Sequence, residues 1–393
     1  MTYGALAGVL GEIDLVTALG LAGVRSAVVA KRGTPAWYSR YVVARIEWAD
    51  PALAPETLVE RLLAFASCQP EAPVLYFDSD WDLLVVSRYR DELAPAFRFV
   101  VARPDVGENL VDKARFHELA STMELPVPSA VSIPLVAGAP PEIALRFPLV
   151  AKPLTRRATV WGPLAAAKAI HVADEQALRD VWAHLARAGV GVIRQEAVPG
   201  TEARIESYHA YVDESGAVAG EFTGRKLRTH PATYGFSTAL AVTRIDDVLE
   251  LGRDLMRRLG VTGVAKLDFK RDPDGRLWLL EVNPRFNLWH HPGALAGVNI
   301  PALVYADLMG APRPARRAGK RVVHWCSLAH DYQAARETGM PLLPWAWWTL
   351  RCEAKSGLSL RDPLPLVRAA SFRIAKRIGT RRTRSEPSGG RRW

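Results

Sequence analysis

Short apolar runs alternate with amphipathic stretches along the first hundred positions. Residues 2–8 (TYGALAG), 25–30 (RSAVVA), 72–77 (APVLYF) and 97–101 (FRFVV) have the length and apolar density of buried strands. Between them, residues 12–22, 55–66 and 81–88 read as helices, with Ile13, Val16, Leu19 and Leu21 mostly on one side of the first. Strands and helices in alternation predict a parallel sheet with helices on its faces. Gly4, Gly8 and Gly11 lack the G-x-G-x-x-G spacing of a dinucleotide-binding turn, so no nicotinamide cofactor is expected there.

The texture changes at Pro104. Residues 112–123 are predicted helical, PVPSAVSIP breaks that helix with prolines, and FPLVAKP (147–153) reads as a short buried strand. KAIHV, a helix over 174–188 and the run GVGVIRQEAV follow. From 202 to 283 the pattern becomes long alternating strands around one helix at 246–258, which predicts an antiparallel sheet. The predicted class is α/β with α+β lobes. Its divisions are 1–105, then 106–310 as two lobes joined near 193–202, then 311–393. Ligands commonly bind between two such lobes.

Composition changes this picture at one end only. The net charge is +10, yet 18 of the 51 Lys/Arg and five of the 41 Asp/Glu lie from residue 311 onward, a balance of +13 against −3 for the rest. The basic character therefore belongs to the C-terminal extension. From Arg381 the sequence RRTRSEPSGGRRW has few apolar residues and is expected to be disordered. No apolar run approaches the ~20 residues of a membrane span. Cys68, Cys326 and Cys352 have neither metal-ligand nor redox spacing. Reduced thiols in a cytoplasmic protein are the expectation.

The strongest candidate chemistry lies in VAKLDFKRDPDGRLWLLEVNPRFN. Asp272-Pro273-Asp274-Gly275 is turn chemistry between two apolar strands, hence a hairpin. With a four-residue loop, Asp268 falls opposite Leu279, on the face that carries Glu281 and Asn283, and a one-residue slip breaks that alignment. Two carboxylates and a carboxamide suit Mg²⁺, which takes one or two carboxylates and fills its other positions with phosphate and water. The polar face of an exposed hairpin is the competing reading.

Lys152 closes a buried strand and Lys113 starts a helix, so each is either a surface lysine or a phosphate ligand. Gln195 and Glu196 end a strand and Glu202 starts the next. That segment is either a plain linker or a strand edge offering backbone groups to a purine and a carboxylate to a ribose. Arg225, Lys226 and Arg228 form either a solvated edge or a hold on a transferring phosphoryl group. His290 and His291 are expected on a solvent-facing loop.

Taken in order, DKARFHELASTMELPVP, FPLVAKP, VIRQEAVPGTE, GVAKLDF and LLEVNPRF resemble the ATP-grasp superfamily in order and rough spacing. The resemblance covers about residues 1–310, including a front domain similar to the pre-ATP-grasp domain. YHAYVDESGAVAGEFTGRKLR and EVNPRFNLWHHPGALAGVNIP are most similar to the carboxylate–amine ligase branch that includes D-aspartate ligases. The resemblance implies ATP with one or two Mg²⁺ ions (Mn²⁺ as a substitute), and a small carboxylate and amine, such as an amino acid or peptide.

It places Lys113 and Lys152 at the ATP phosphates. Glu196, Ala197 and Val198 fall in the adenine-binding linker beside Gln195, and Glu202 falls at the ribose. Asp268, Glu281 and Asn283 take the metal, while Arg285, Arg225, Lys226 and Arg228 take the γ-phosphate and acyl phosphate. One departure stands out: after Lys152 the chain reads PLTRRATVWGP instead of a glycine-rich lid, leaving Arg156 or Arg157 to cover the phosphates. The implied chemistry is carboxylate attack on the γ-phosphate, then amine attack on the acyl phosphate.

Two rivals remain at this level. One is an enzyme with the same ATP machinery that forms a carboxylated or phosphorylated product. The other is a nucleotide-binding protein attached by its basic tail to nucleic acid or, with Trp345, Trp347 and Trp348, to an anionic membrane.

Overall fold

Four parallel strands open the chain: β1 (Ala7–Leu10), β2 (Ser26–Ala30), β3 (Val42–Glu47) and β4 (Val74–Phe77), in the order β3-β2-β1-β4. Helices Ile13–Leu21, Pro55–Ser67 and Asp80–Arg88 accompany them. β1, β2 and β4 are buried along their whole length, as expected for a parallel sheet covered on both faces. The edge strand β3 escaped the sequence reading because it alternates with exposed polar positions. The strand expected at 97–101 shrinks to a single bridge between Val74 and Arg98. The computed structural model describes residues 4–134, 138, 140–142, 144–154, 161, 167–315, 322–359 and 361–372.

A small antiparallel sheet follows, built from β5 (Ala130–Ile133), β6 (Leu149–Pro153), β7 (Ile170–Val172) and β8 (Val192–Glu196) in the order β5-β8-β6-β7. Helix Glu175–Ala188 closes one face through Leu178, Trp182 and Leu185. Asp174 caps its first turn, accepting from Ala177 N at 2.9 Å, and Gly189 ends it in the left-handed conformation at φ 61°.

The larger lobe is a seven-stranded sheet: β9 (Ile205–Val212), β10 (Val218–His230), β11 (Phe236–Thr243), β12 (Gly263–Arg271), β13 (Leu277–Asn283), β14 (Val322–Cys326) and β15 (Ala354–Lys355). Its order is β13-β12-β9-β10-β11-β14-β15. Strand parity sorts its faces. Tyr208, Ala210, Ala265, Leu267 and Phe269 join a core with helix Asp246–Arg258 and the helices Pro104–Val111 and Lys113–Thr122. Tyr211, Phe222 and Val264 join the opposite core, which includes Trp289, Ile300 and residues of the front sheet. Along that second face the strands turn polar toward one end, at Ser207, Lys226, Lys266 and Asp268.

The expected division at 310 is not a break in this sheet. VVHWC pairs with β11 as β14, so the chain after 310 completes the larger lobe. A buried carboxylate fastens it there. Asp14, from the front domain, accepts from His291 Nδ1 at 2.8 Å, Trp325 Nε1 at 2.8 Å and Ser356 Oγ at 2.6 Å. The tail from Arg381 lies outside the described residues.

Candidate active site

The small antiparallel sheet and the seven-stranded sheet face each other across a cleft, and residues 197–204 connect them. β6 and β8 bring Lys152 and Gln195 to its roof, where Lys152 Nζ donates to Gln195 Oε1 at 2.6 Å. Asp112 caps the helix that starts at Lys113, accepting from Ala114 N at 2.9 Å and Arg115 N at 3.0 Å. Lys113, Lys152, Gln195, Glu281 and Asn283 together line a narrow cavity of about 80 Å³. A wider one, about 760 Å³, runs along Ala197, Val198, Glu202, Tyr234 and Lys270. Glu196 turns its carboxylate outward to Arg146 at 2.9 Å, while its own N–H and that of Ala197 donate to Ser129 O at 2.8 Å and Pro148 O at 2.9 Å. Glu202 sits in a short 3-10 turn rather than on the strand, 3.6 Å from Lys270.

The floor is the β12–β13 hairpin. Asp268 stands directly opposite Glu281, not opposite Leu279 as the four-residue loop predicted. Five residues separate the paired Arg271 and Leu277, and a bulge between Asp268 and Phe269 adds a second shift. Leu279 and Val282 both reach the lower core, so the bulge turns Leu280 and Glu281 toward the cleft, where both line the narrow cavity. Asn283 Nδ2 donates to Glu281 Oε1 at 3.2 Å.

Lysines surround these carboxylates. Lys266 Nζ donates to Asp268 Oδ2 at 2.7 Å, Lys226 Nζ lies 3.5 Å from the same oxygen, and Ser207 Oγ donates to Oδ1. Burial alone favours the neutral acid at Asp268, but Lys226, Lys266 and these hydrogen bonds hold it well below the carboxylate range. Burial and Asp268 push Glu281 up, while Lys168, Lys266 and Lys226 bring it down on balance. Burial lowers Lys226 as well, yet Asp268, Glu281 and Glu202 leave it raised. Lys152 and Lys168 are each pushed down to about 8, chiefly by burial and despite the nearby Glu281. The cleft therefore concentrates positive charge around two ionised carboxylates.

Three expected positions have other partners. Arg225 is exposed on the opposite face of β10, one residue out of phase with Lys226, and stands across from Glu206. Arg228 is drawn to Asp331 by two hydrogen bonds of 2.9 and 2.7 Å and lies 4.1 Å over the Trp348 ring. Asp331 is fully buried and also accepts from Thr238 Oγ1 and Trp345 Nε1, each at 2.9 Å. Arg285 gives Nε to Asp80 at 2.5 Å, Nη1 to the Asp78 carbonyl at 2.7 Å and Nη2 to Asn283 Oδ1 at 3.2 Å. It thus orients Asn283 from the front domain.

His290 and His291 are buried, not solvent-facing. They open helix His290–Leu295, with His290 packed against Phe286, Phe222 and His209. Burial lowers His290 to about 3, so it is neutral at physiological pH. Arg156 and Arg157 lie outside the described residues.

Sequence reasoning missed Lys168, Lys266, Ser207 and Asp80. Lys266 was accessible, being two residues from Asp268 on the same strand face. Lys168 was not, because only the meeting of the two lobes brings it near Glu281. Its backbone N–H donates to Tyr234 O at 3.0 Å, and its Nζ lies 4.8 Å from the Phe236 ring centroid.

A small antiparallel sheet and a larger, mostly antiparallel one closing on such a cleft, behind a parallel front domain, have the architecture of an ATP-grasp fold. Residues 227–328 match the family described as ATP-grasp in the biosynthetic pathway with Ter operon. D-aspartate ligase of Enterococcus faecium (strain Aus0004) is 24% identical over 233 residues, covering 57% of this chain and 55% of that protein. D-alanine–D-alanine ligase of Halorhodospira halophila (strain DSM 244 / SL1) is 28% identical over 218 residues, covering 51% and 66%. The matched segments thus span about half to two thirds of these relatives. The L-amino acid ligase structure from Bacillus licheniformis superposes with a TM-score of 0.61 at 13% identity, covering 82% of this chain and 79% of that one.

Proposed function

We propose that the protein joins a small carboxylate to an amine at the expense of ATP, through an acyl phosphate, releasing ADP and phosphate. The observation that carries this reading is the convergence of Lys152, Lys168, Lys226 and Lys266 on the ionised pair Asp268 and Glu281 in one cleft. Isolated carboxylates on an exposed hairpin would not gather four buried or half-buried lysines. A polyphosphate with its cation would compensate both signs at once.

The donor set fits Mg²⁺. Asp268, Glu281 and Asn283 supply hard oxygens, and no cluster of three or more His, Cys, Asp or Glu suited to a metal occurs among the described residues. Two carboxylates are what an ion shared with phosphates requires, whereas a dedicated protein cage would need more. When bound, the ion would neutralise phosphate charge and bridge its oxygens. Lys226 and Lys266 hold Asp268 ionised and aimed at the cleft, and Arg285 fixes the Asn283 amide.

In this reading the linker 196–198 receives adenine on its backbone and Glu202 takes the ribose hydroxyls. Lys113 and Lys152 hold phosphates from the roof. Lys168, Lys226 and Lys266 meet the γ-phosphate, where negative charge shifts as the substrate carboxylate attacks. The amine then attacks the acyl carbon and phosphate departs. Alignment and charge stabilisation do the chemistry, with no protein nucleophile required. An amino acid or peptide is the proposed substrate class. The test is ADP release with paired acids and amines: the reading requires release only when both are present. Release with bicarbonate in place of the amine would favour a carboxylating enzyme instead.

A further inference from the structure

The segment that completes the larger lobe carries a surface the ligase chemistry does not use. Helix Leu342–Arg351 packs inward through Trp345 and Trp348, which meet Asp331, Arg228 and His324. Its outer side is apolar. Leu343 is 82% exposed, Leu350 72%, and Leu342 and Trp347 58% each. Leu343, Trp347 and Leu350 follow at spacings of four and three, so they form one stripe along the helix. Soluble proteins rarely expose so many large apolar side chains together without an occupant.

Charge supplies the occupant's character. Each acid of residues 322–372 has a partner: Asp331 and Asp362 are buried against Arg228 and Ser39, while Glu337 faces His230 and Glu353 faces His324. The cations Arg336, Arg351, Arg361 and Arg368 are exposed, and Arg351 lies 4.1 Å over the Trp347 ring. Beyond Ser371 the sequence adds eight Lys/Arg and one Glu. An apolar stripe with a Trp, with Arg351 over that Trp and Arg336 beside Leu342, has the composition of a helix lying in a lipid headgroup layer. No described helix is long and apolar enough to cross a membrane, so the contact would be peripheral.

We propose that the outer face of helix Leu342–Arg351, with the exposed Arg336 and Arg351 beside it, docks this protein on an anionic lipid surface. The stripe contributes insertion, and the cations contribute attraction to acidic headgroups. A nucleic acid would use the cations and leave the stripe idle. A second copy of this chain would present the same positive charge to itself.

The test is co-sedimentation of the full chain with vesicles of phosphatidylcholine alone or with about a third phosphatidylserine. The expected result is binding to the anionic vesicles only, weakened at least 10-fold by the exposed-face double variant Leu343→Glu/Leu350→Glu. ATP binding and circular dichroism should stay unchanged in that variant. Three results would overturn the proposal. One is absence of vesicle binding. Another is vesicle or duplex-DNA binding that the double variant leaves intact, which would assign attraction to the cations alone. The third is a dimer in solution that the variant dissociates while vesicles bind neither form.

Discussion

Asp268 and Glu281 face each other across β12 and β13 because two one-residue irregularities add to a two-residue shift, which keeps the same face. A five-residue turn in place of four would by itself put Asp268 on the wrong partner. The bulge at Leu280 supplies the second shift and returns Glu281 to the cleft face. Asp272 stabilises that turn, accepting from Arg276 N and Trp278 Nε1 at 2.9 Å each. Side-chain chemistry at the turn thus helps set the register of the candidate metal site.

Asp268 compensates two buried lysines, so its charge should matter before any nucleotide binds. Asp268→Asn leaves Lys226 and Lys266 without their shared partner, and breaking a buried pair costs roughly 3–5 kcal/mol. Urea unfolding of the nucleotide-free variant should show a loss of this order. A loss below about 1 kcal/mol would contradict the buried-pair description.

Lys152 and Lys168 are lowered to about 8 by burial, which sets a pH limb. Both bear charge below that pH and shed it as pH rises through it. Affinity for ATP should therefore hold steady below pH 8 and fall above it. Bound phosphate would favour the charged form and move the limb upward in the complex. Lys168→Arg should flatten the fall, because guanidinium stays protonated. Calorimetric titration with ATP between pH 6.5 and 9.5 reads both effects.

Arg285 touches Asn283 and the front domain together, and acts as a positioning residue. Arg285→Met should raise the Mg²⁺ concentration for half-maximal ADP release by about 10–100-fold, as loss of an outer-shell partner does. Excess Mg²⁺ should recover much of the rate. A rate loss that no Mg²⁺ concentration relieves would show that Arg285 contacts the reacting groups instead.

Asp14 ties the front domain to His291, Trp325 and Ser356. Asp14→Ala strips three buried or half-buried donors of their acceptor, each costing about 1–3 kcal/mol. Thermal unfolding should fall by about 10 °C or more. An unchanged midpoint would mean that sheet pairing and packing hold β14 and residues 354–356 without the Asp14 contacts.

The sequence disclosed what local periodicity controls. Strand alternation exposed Asp268, Glu281 and Asn283 as one face, and the helical pattern over 112–123 put Lys113 at a helix start. Parity also could have removed Arg225, which lies out of phase with Lys226. What stayed hidden depends on partners distant in the chain. Asp331 lies 103 residues from Arg228, and no local pattern announces that it takes the guanidinium. His291 lies 277 residues from Asp14, so a histidine expected in solvent proves to be part of a buried joint. Lys168 enters the cleft only because the two lobes meet. Charged residues are thus poor guides to their own neighbours, while apolar spacing is a good one.

The central claim is that Asp268 and Glu281 mark a Mg-ATP site serving amide formation. The direct measurement is ADP release from Mg-ATP with a panel of amino acids and amines, comparing wild type with Glu281→Gln. The account predicts release that requires an acid–amine pair and falls by about 100-fold or more in the variant, the scale of losing a charge-stabilising group. Unchanged acid- and amine-dependent release by Glu281→Gln, or wild-type protein that binds no ATP in the presence of Mg²⁺, would contradict it.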